Sequence, residues 1–183
     1  MKKIVVSVLG YDRPGIVASV SKVMFENGCN IEDVSQTTLQ TQFAGVFIAL
    51  VPDDVEEQDL LASLEERLAP SGLSVLLKSM QASREWSPVE SEPFVLTTKG
   101  LDRPGLVAGI TEVMARFGIN ITNLRAIFRG GDDPLHNIMI YEVDIPVGID
   151  RRVFMKTLKE RSQALGLDIS LQHRDIFEAV HRV

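Results

Sequence analysis

Apolar and polar residues alternate through Lys3 to Leu9 and put Ile4, Val6 and Val8 on one face, the period of a half-buried β-strand. The period then lengthens. Ile16, Val17, Val20, Val23 and Met24 form one helical stripe predicted to face a core, and Gly28 suits the left-handed turn that ends a helix. Ile31 to Leu39 and Phe43 to Val51 read as two more strands. Val55 to Leu68 reads as a helix with Leu60, Leu61, Leu64 and Leu68 inward, and Leu73 to Met80 as a closing strand. The same succession then returns. Phe94 to Lys99 is a strand, Leu106, Val107, Ile110, Val113 and Met114 make a helical stripe, and Gly118 ends it. Strands at Ile119 to Phe128 and Asn137 to Ile145, a helix near Arg151 to Leu165 and a strand at Leu167 to Gln172 complete the copy. Each half thus runs β-α-β-β-α-β. That order predicts an α+β class with two ferredoxin-like domains, each an antiparallel four-stranded sheet with both helices on one face.

The repeat extends to individual residues. Gly10-Tyr11-Asp12-Arg13-Pro14-Gly15-Ile16-Val17-Ala18 recurs as Gly100-Leu101-Asp102-Arg103-Pro104-Gly105-Leu106-Val107-Ala108, and Asn30-Ile31 recurs as Asn120-Ile121. Further on, Leu50-Val51-Pro52 aligns with Asp144-Ile145-Pro146, which calls for an insertion of about four residues, expected within Arg129 to Leu135, a run of turn formers. Residues 82–92 are polar, proline-bearing and aperiodic, and are read as a linker between domains at 1–81 and 93–183. Trp86, the one tryptophan, is expected to pack on a domain surface. Opposite the helices, the first copy should carry Val46, Ile48 and Leu50 where the second has Ile140, Glu142 and Asp144, so the copies differ where partners would dock.

Composition narrows the classes. Of 183 residues, 45% are apolar and 24% charged, and no stretch approaches the roughly 20 apolar residues of a membrane helix, so no membrane role is expected. No secretion signal is read after Met1-Lys2-Lys3, and the single cysteine, Cys29, fits a reducing cytoplasm, where it is read as a small buried hydrophobe. A net charge of -6 disfavours direct nucleic-acid binding. Any control of genes should run through a partner protein.

The candidate chemistry sits in the loop before the first helix of each copy. Pro14 near the first helical position and Asp12 as a cap would make a sound helix start, and Gly15 would expose backbone amides to a small anion at the positive end of the helix dipole. Asn30 and Asn120 begin strands that the crossover should bring near this loop or near its counterpart in a paired domain. Their amides, with Asp12 for an ammonium, suit an amino acid, although an asparagine after a helix-ending glycine is also an ordinary structural choice. Arg13 and Asn30 superficially satisfy an acylphosphatase-like enzyme, but Asp12 would repel the phosphate. Arg13 and Arg103 are read as partners of acidic neighbours, and His136, His173 and His181 as solvated surface residues without metal spacing. The acids Asp53 to Glu57 are assigned to helix capping. No catalytic residue, metal or cofactor is expected, and the chain is read as no enzyme.

At Asp-Arg-Pro-Gly after the first strand and Gly-x-Asn-Ile after the first helix, both copies resemble ACT domains over nearly the whole chain. The resemblance implies amino-acid binding where domains pair. Carried over, it points to Asp12, Arg13, Gly15, Ile16, Asn30 and Ile31, and to Asp102, Arg103, Gly105, Leu106, Asn120 and Ile121. With Gly28-Cys29-Asn30-Ile31-Glu32-Asp33, the first copy more narrowly resembles the glycine cleavage system transcriptional repressors, whereas Thr122-Asn123 replaces Glu-Asp in the second. This implies a sensor of a small amino acid, glycine or serine first, that controls a regulatory partner protein and forms a homodimer or larger homo-oligomer. A ligand-free module for protein interaction is the alternative.

Overall fold

A computed structural model describes residues 1–80, 89–128 and 136–181. The chain divides into two compact units, Met1–Trp86 and Ser87–Val183. The first contains β1 (Lys2–Tyr11), α1 (Ile16–Glu26), β2 (Asn30–Leu39), β3 (Gln42–Val51), α2 (Glu57–Leu68) and β4 (Ser74–Ser79). The second contains β5 (Ser91–Leu101), α3 (Leu106–Arg116), β6 (Asn120–Phe128), β7 (His136–Pro146), α4 (Arg151–Ala164), β8 (Leu167–His173) and α5 (Arg174–His181). Each sheet is four-stranded, in the orders β2-β3-β1-β4 and β6-β7-β5-β8, and the described strands pair antiparallel. The βαββαβ order and the ferredoxin-like fold therefore hold in both copies.

Alternation decides which face of each sheet is covered. Ile4, Val6 and Val8 of β1 and Phe43, Phe47, Ala49 and Val51 of β3 are buried with Ile16, Val20, Val23 and Met24 of α1 and Leu60, Leu64 and Leu68 of α2. The equivalent set in the second unit includes Leu96, Leu106, Ile110, Met114, Tyr141, Phe154 and Leu158. Gly28 and Gly118 end their helices at φ values of 69° and 65°, as the sequence predicts. The thiol of Cys29 is partly buried against the first core, and desolvation pushes its pKa up, so thiolate chemistry is suppressed there.

Several readings change. Val17 and Val107 extend the stripes only on paper: each lies at the rim of its helical face and is exposed. Leu61 is half-buried rather than inward. Helix α2 starts at Glu57, so Asp53 and Asp54 lie outside it; Glu57 and Asp59 occupy its first turn, and Glu56 makes no side-chain cap. Residues 91 and 92, read as linker, begin β5. Helix α5 follows β8 without a turn residue, and the sequence pattern does not predict it. It packs against β5 and β8, its first residue Arg174 reaches Asp144 at 3.7 Å, and Val95 on that outer sheet face is buried. His173 is no solvated surface histidine: it is half-buried, edge-on to Phe94 at 5.2 Å, with Nδ1 3.5 Å from Asp175. The readings of Trp86 and of the insertion at 129–135 fall outside the described residues, as do the side chains of His136 and His181.

Candidate functional site

The strand-to-helix loop is built differently from the sequence reading. Gly15, not Asp12, caps α1, at φ 95°, and no side chain accepts a bond there; Pro14 precedes the helix instead of opening it. Asp12 turns the other way. Its N–H donates to the Thr41 carbonyl at 2.8 Å, and its Oδ2 accepts from the Thr38 hydroxyl at 3.3 Å, which ties the loop to the far ends of β2 and β3. The first bond of the helical ladder runs from Ser19 N–H to Gly15 O, leaving the N–H groups of Ile16, Val17 and Ala18 ahead of it. These residues, with Asp12, Arg13, Gly15, Gln36 and Phe43, line a cavity of about 250 Å³. That size admits only a small ligand. Open amides at a helix N-terminus beside Arg13 favour an anionic end for it, and Asp12 favours a cationic one.

A positive φ at Gly15 makes this loop sensitive to a side chain even though an added Cβ would meet nothing within 4 Å. Gly15→Ala should cost about 1–2 kcal/mol through backbone strain alone. Urea denaturation checks this, and an unchanged midpoint would show that the loop relaxes.

The second unit repeats the frame with changed contacts. Gly105 caps α3 at φ 92°, and Gly109 N–H to Gly105 O opens the ladder. Among the described residues Arg103 pairs with no acid; its Nη2 donates to the Ala164 carbonyl at 3.3 Å. Asp102 accepts from Asn137 Nδ2 at 3.2 Å in place of the threonine contact of the first unit.

Asn30 and Ile31 are not beside the loop of their own unit. In the ladders Lys3, Leu50 and Asn30 lie abreast at one end of the sheet, and Tyr11, Gln42 and Leu39 abreast at the other. The ten residues of β2 span about 30 Å at roughly 3.3 Å per residue. Asn120 and Ile121 stand likewise abreast of Asp144 and Val143, at the opposite end of the sheet from Asp102, Arg103, Gly105 and Leu106. Of the two placements expected for each asparagine, the one beside its own loop is excluded, and the one beside the counterpart loop of a paired domain is left. The signal was present in the sequence, because a helix that returns the chain to a parallel strand restarts at the end opposite the loop it left. The same separation keeps Arg13 and Asn30 from converging on one phosphate, which removes the geometry of the acylphosphatase-like reading. Both asparagines are exposed, and a β-bulge follows each Asn-Ile pair, between Ile31 and Asp33 and between Ile121 and Asn123. Among the described residues no group of three or more His, Cys, Asp or Glu could hold a metal ion, and no helix is long and apolar enough to cross a membrane.

Comparison with known proteins agrees with this fold. The family model of the ACT domain matches residues 2–78. Two solved structures are similar in fold over nearly the whole chain. One is a protein designated unknown from Galdieria sulphuraria, 24% identical, with 94% of this chain and 98% of that one covered at a TM-score of 0.74. The other is described as a candidate glycine cleavage system transcriptional repressor, 19% identical, with 93% and 96% covered at a TM-score of 0.68. A UPF0237 protein of Methanopyrus kandleri is 45% identical over 90 residues, which is 49% of this chain and 96% of the relative. With a relative matched over almost its full length and an ACT domain in the first unit, the chain belongs to the UPF0237 family of ACT-domain proteins.

Proposed function

We propose that this chain is a cytoplasmic regulatory protein, not a catalyst, that senses a small amino acid, glycine or serine first, at seams between paired ACT units. One observation carries the reading. The strand-to-helix loop and the Asn-Ile pair lie toward opposite ends of one edge strand, β2 in the first unit and β6 in the second, and in the first unit the loop lines a small cavity. Two such edges laid antiparallel would bring the loop of one unit to the asparagine of the other, twice, and unpaired edges favour that association. Such a pair would form between two copies of the chain in a homodimer. Arg13 with the amides of Ile16 to Ala18 would then hold the carboxylate, and the Asn30 amide of the facing unit would complete the site. Occupancy would change how the units pair and so present or hide a surface for a regulatory partner protein that acts on transcription. Val46, Ile48 and Leu50 on the outer face of the first sheet suit that surface, since Val46 and the neighbouring Leu76 are 42% and 66% exposed.

A thermal-shift screen against the twenty amino acids at millimolar concentration tests this, because a ligand at about 100 times its Kd adds about 2.7 kcal/mol. Glycine or serine should raise the melting temperature by several degrees in the wild type, and Asn30→Ala or Asn120→Ala should abolish the rise. No response to any amino acid would leave the chain as a ligand-free interaction module.

A further inference from the structure

Beneath the two loops the units differ at three buried positions that the ladders make equivalent. Phe43 stands opposite Gly10, and Asn137 opposite Gly100; Val8 corresponds to Thr98, and Phe47 to Tyr141. In the first unit all three are apolar. In the second all three are polar and no more than 2% exposed. The substitution is compensated in space. The Phe43 ring lies 2.7 Å from where a Cβ on Gly45 would sit, and Met139 fills the equivalent of that glycine, leaving Asn137 free to face the loop. Tyr141 Oη contacts Met139 Sδ at 3.1 Å. Asn137 Nδ2 donates to Asp102 Oδ1, while Asn137 Oδ1 is buried and has no partner among the described residues. A buried carbonyl oxygen left unsatisfied is unfavourable by itself, so its retention beside a carboxylate asks for a donor from outside.

We infer that the loop of the second unit is an ammonium-binding site, in which the Asp102 carboxylate and Asn137 Oδ1 together hold the protonated amine of a small ligand. The first unit cannot make this contact, because Phe43 occupies the place of Asn137. The inference rests on the amino-acid reading above and specifies it: the amine is recognised in the second unit, by a residue of β7 that lies outside both the loop and the Asn-Ile pair. An amine brings donors to both acceptors at once and a charge to Asp102, whereas the deaminated acid of the same shape brings neither.

Calorimetric titration of the full chain with glycine and acetate, and with serine and 3-hydroxypropionate, tests it. Asn137→Leu keeps the shape and removes the acceptor. Asp102→Asn, at an exposed position, removes the charge and leaves Asn137 in place should the leucine variant fail to fold. Each variant should weaken binding of the amino acid at least 10-fold and should not weaken that of the deaminated acid. An amino acid that binds wild type and both variants alike overturns this inference and leaves the sensor reading standing. Binding of neither glycine nor serine to the wild type overturns it as well.

Discussion

Phe154→Ala should destabilise the second unit by about 3–5 kcal/mol, the range for removing a large aromatic side chain from a core. Phe154 is 1% exposed on the inner face of α4 and meets Phe117 edge to face, with ring centroids 5.3 Å apart. The backbone of a helix pinned to a sheet collapses little around the resulting space, so the cavity adds to the lost transfer energy. For a unit of this size each kcal/mol moves the melting temperature by about 4–8 °C, so thermal denaturation followed by circular dichroism should show a fall of more than about 12 °C. A shift below about 4 °C would mean that Phe117 and its neighbours close the gap.

Gly100→Ala should also destabilise the second unit, though less, and for the opposite reason. A Cβ there would sit 2.7 Å from the Gly166 carbonyl oxygen, which the backbone fixes, and 2.7 Å from Leu167 Cδ2. Strand β5 would have to part from the start of β8, and overpacking of this kind costs about 1–3 kcal/mol. Gly109→Ala meets an equally short contact, 2.7 Å to Leu165 Cδ1, but there the obstacles are side chains of Leu165 and Arg161 that can turn aside. Alanine also favours the helix by about 1 kcal/mol over glycine. Urea denaturation should therefore separate the two, with Gly109→Ala within about 1 kcal/mol of wild type. Equal losses would show that distance to the nearest atom, and not whether that atom can move, controls the outcome.

The contrast between these glycines bears on what can be read before a structure is known. Gly10 and Gly100 are visible as members of a repeat, but nothing local says that each abuts the carbonyl of a residue some sixty positions later. The inward residues of α1 were legible because Ile16, Val20, Val23 and Met24 recur at the helical period, and Val17 was misread because a stripe has edges that periodicity does not mark. Helix α5 was missed because eight residues after a strand carry too short a pattern to stand out.

For the candidate site the division follows the range of the forces. The amino-acid pattern alone established two βαββαβ copies, their loops and their Asn-Ile pairs, since alternation, helical stripes and helix-ending glycines are local consequences of side-chain geometry. Tertiary structure decided the rest. The order β2-β3-β1-β4 separates Asn30 from Asp12 by the length of a strand. Thr38 and Thr41 draw Asp12 away from the helix start. Strand pairing buries Asn137 under Asp102 with one oxygen unsatisfied among the described residues. Each of these depends on residues distant in sequence meeting through the sheet, and a one-dimensional pattern carries no term for such meetings.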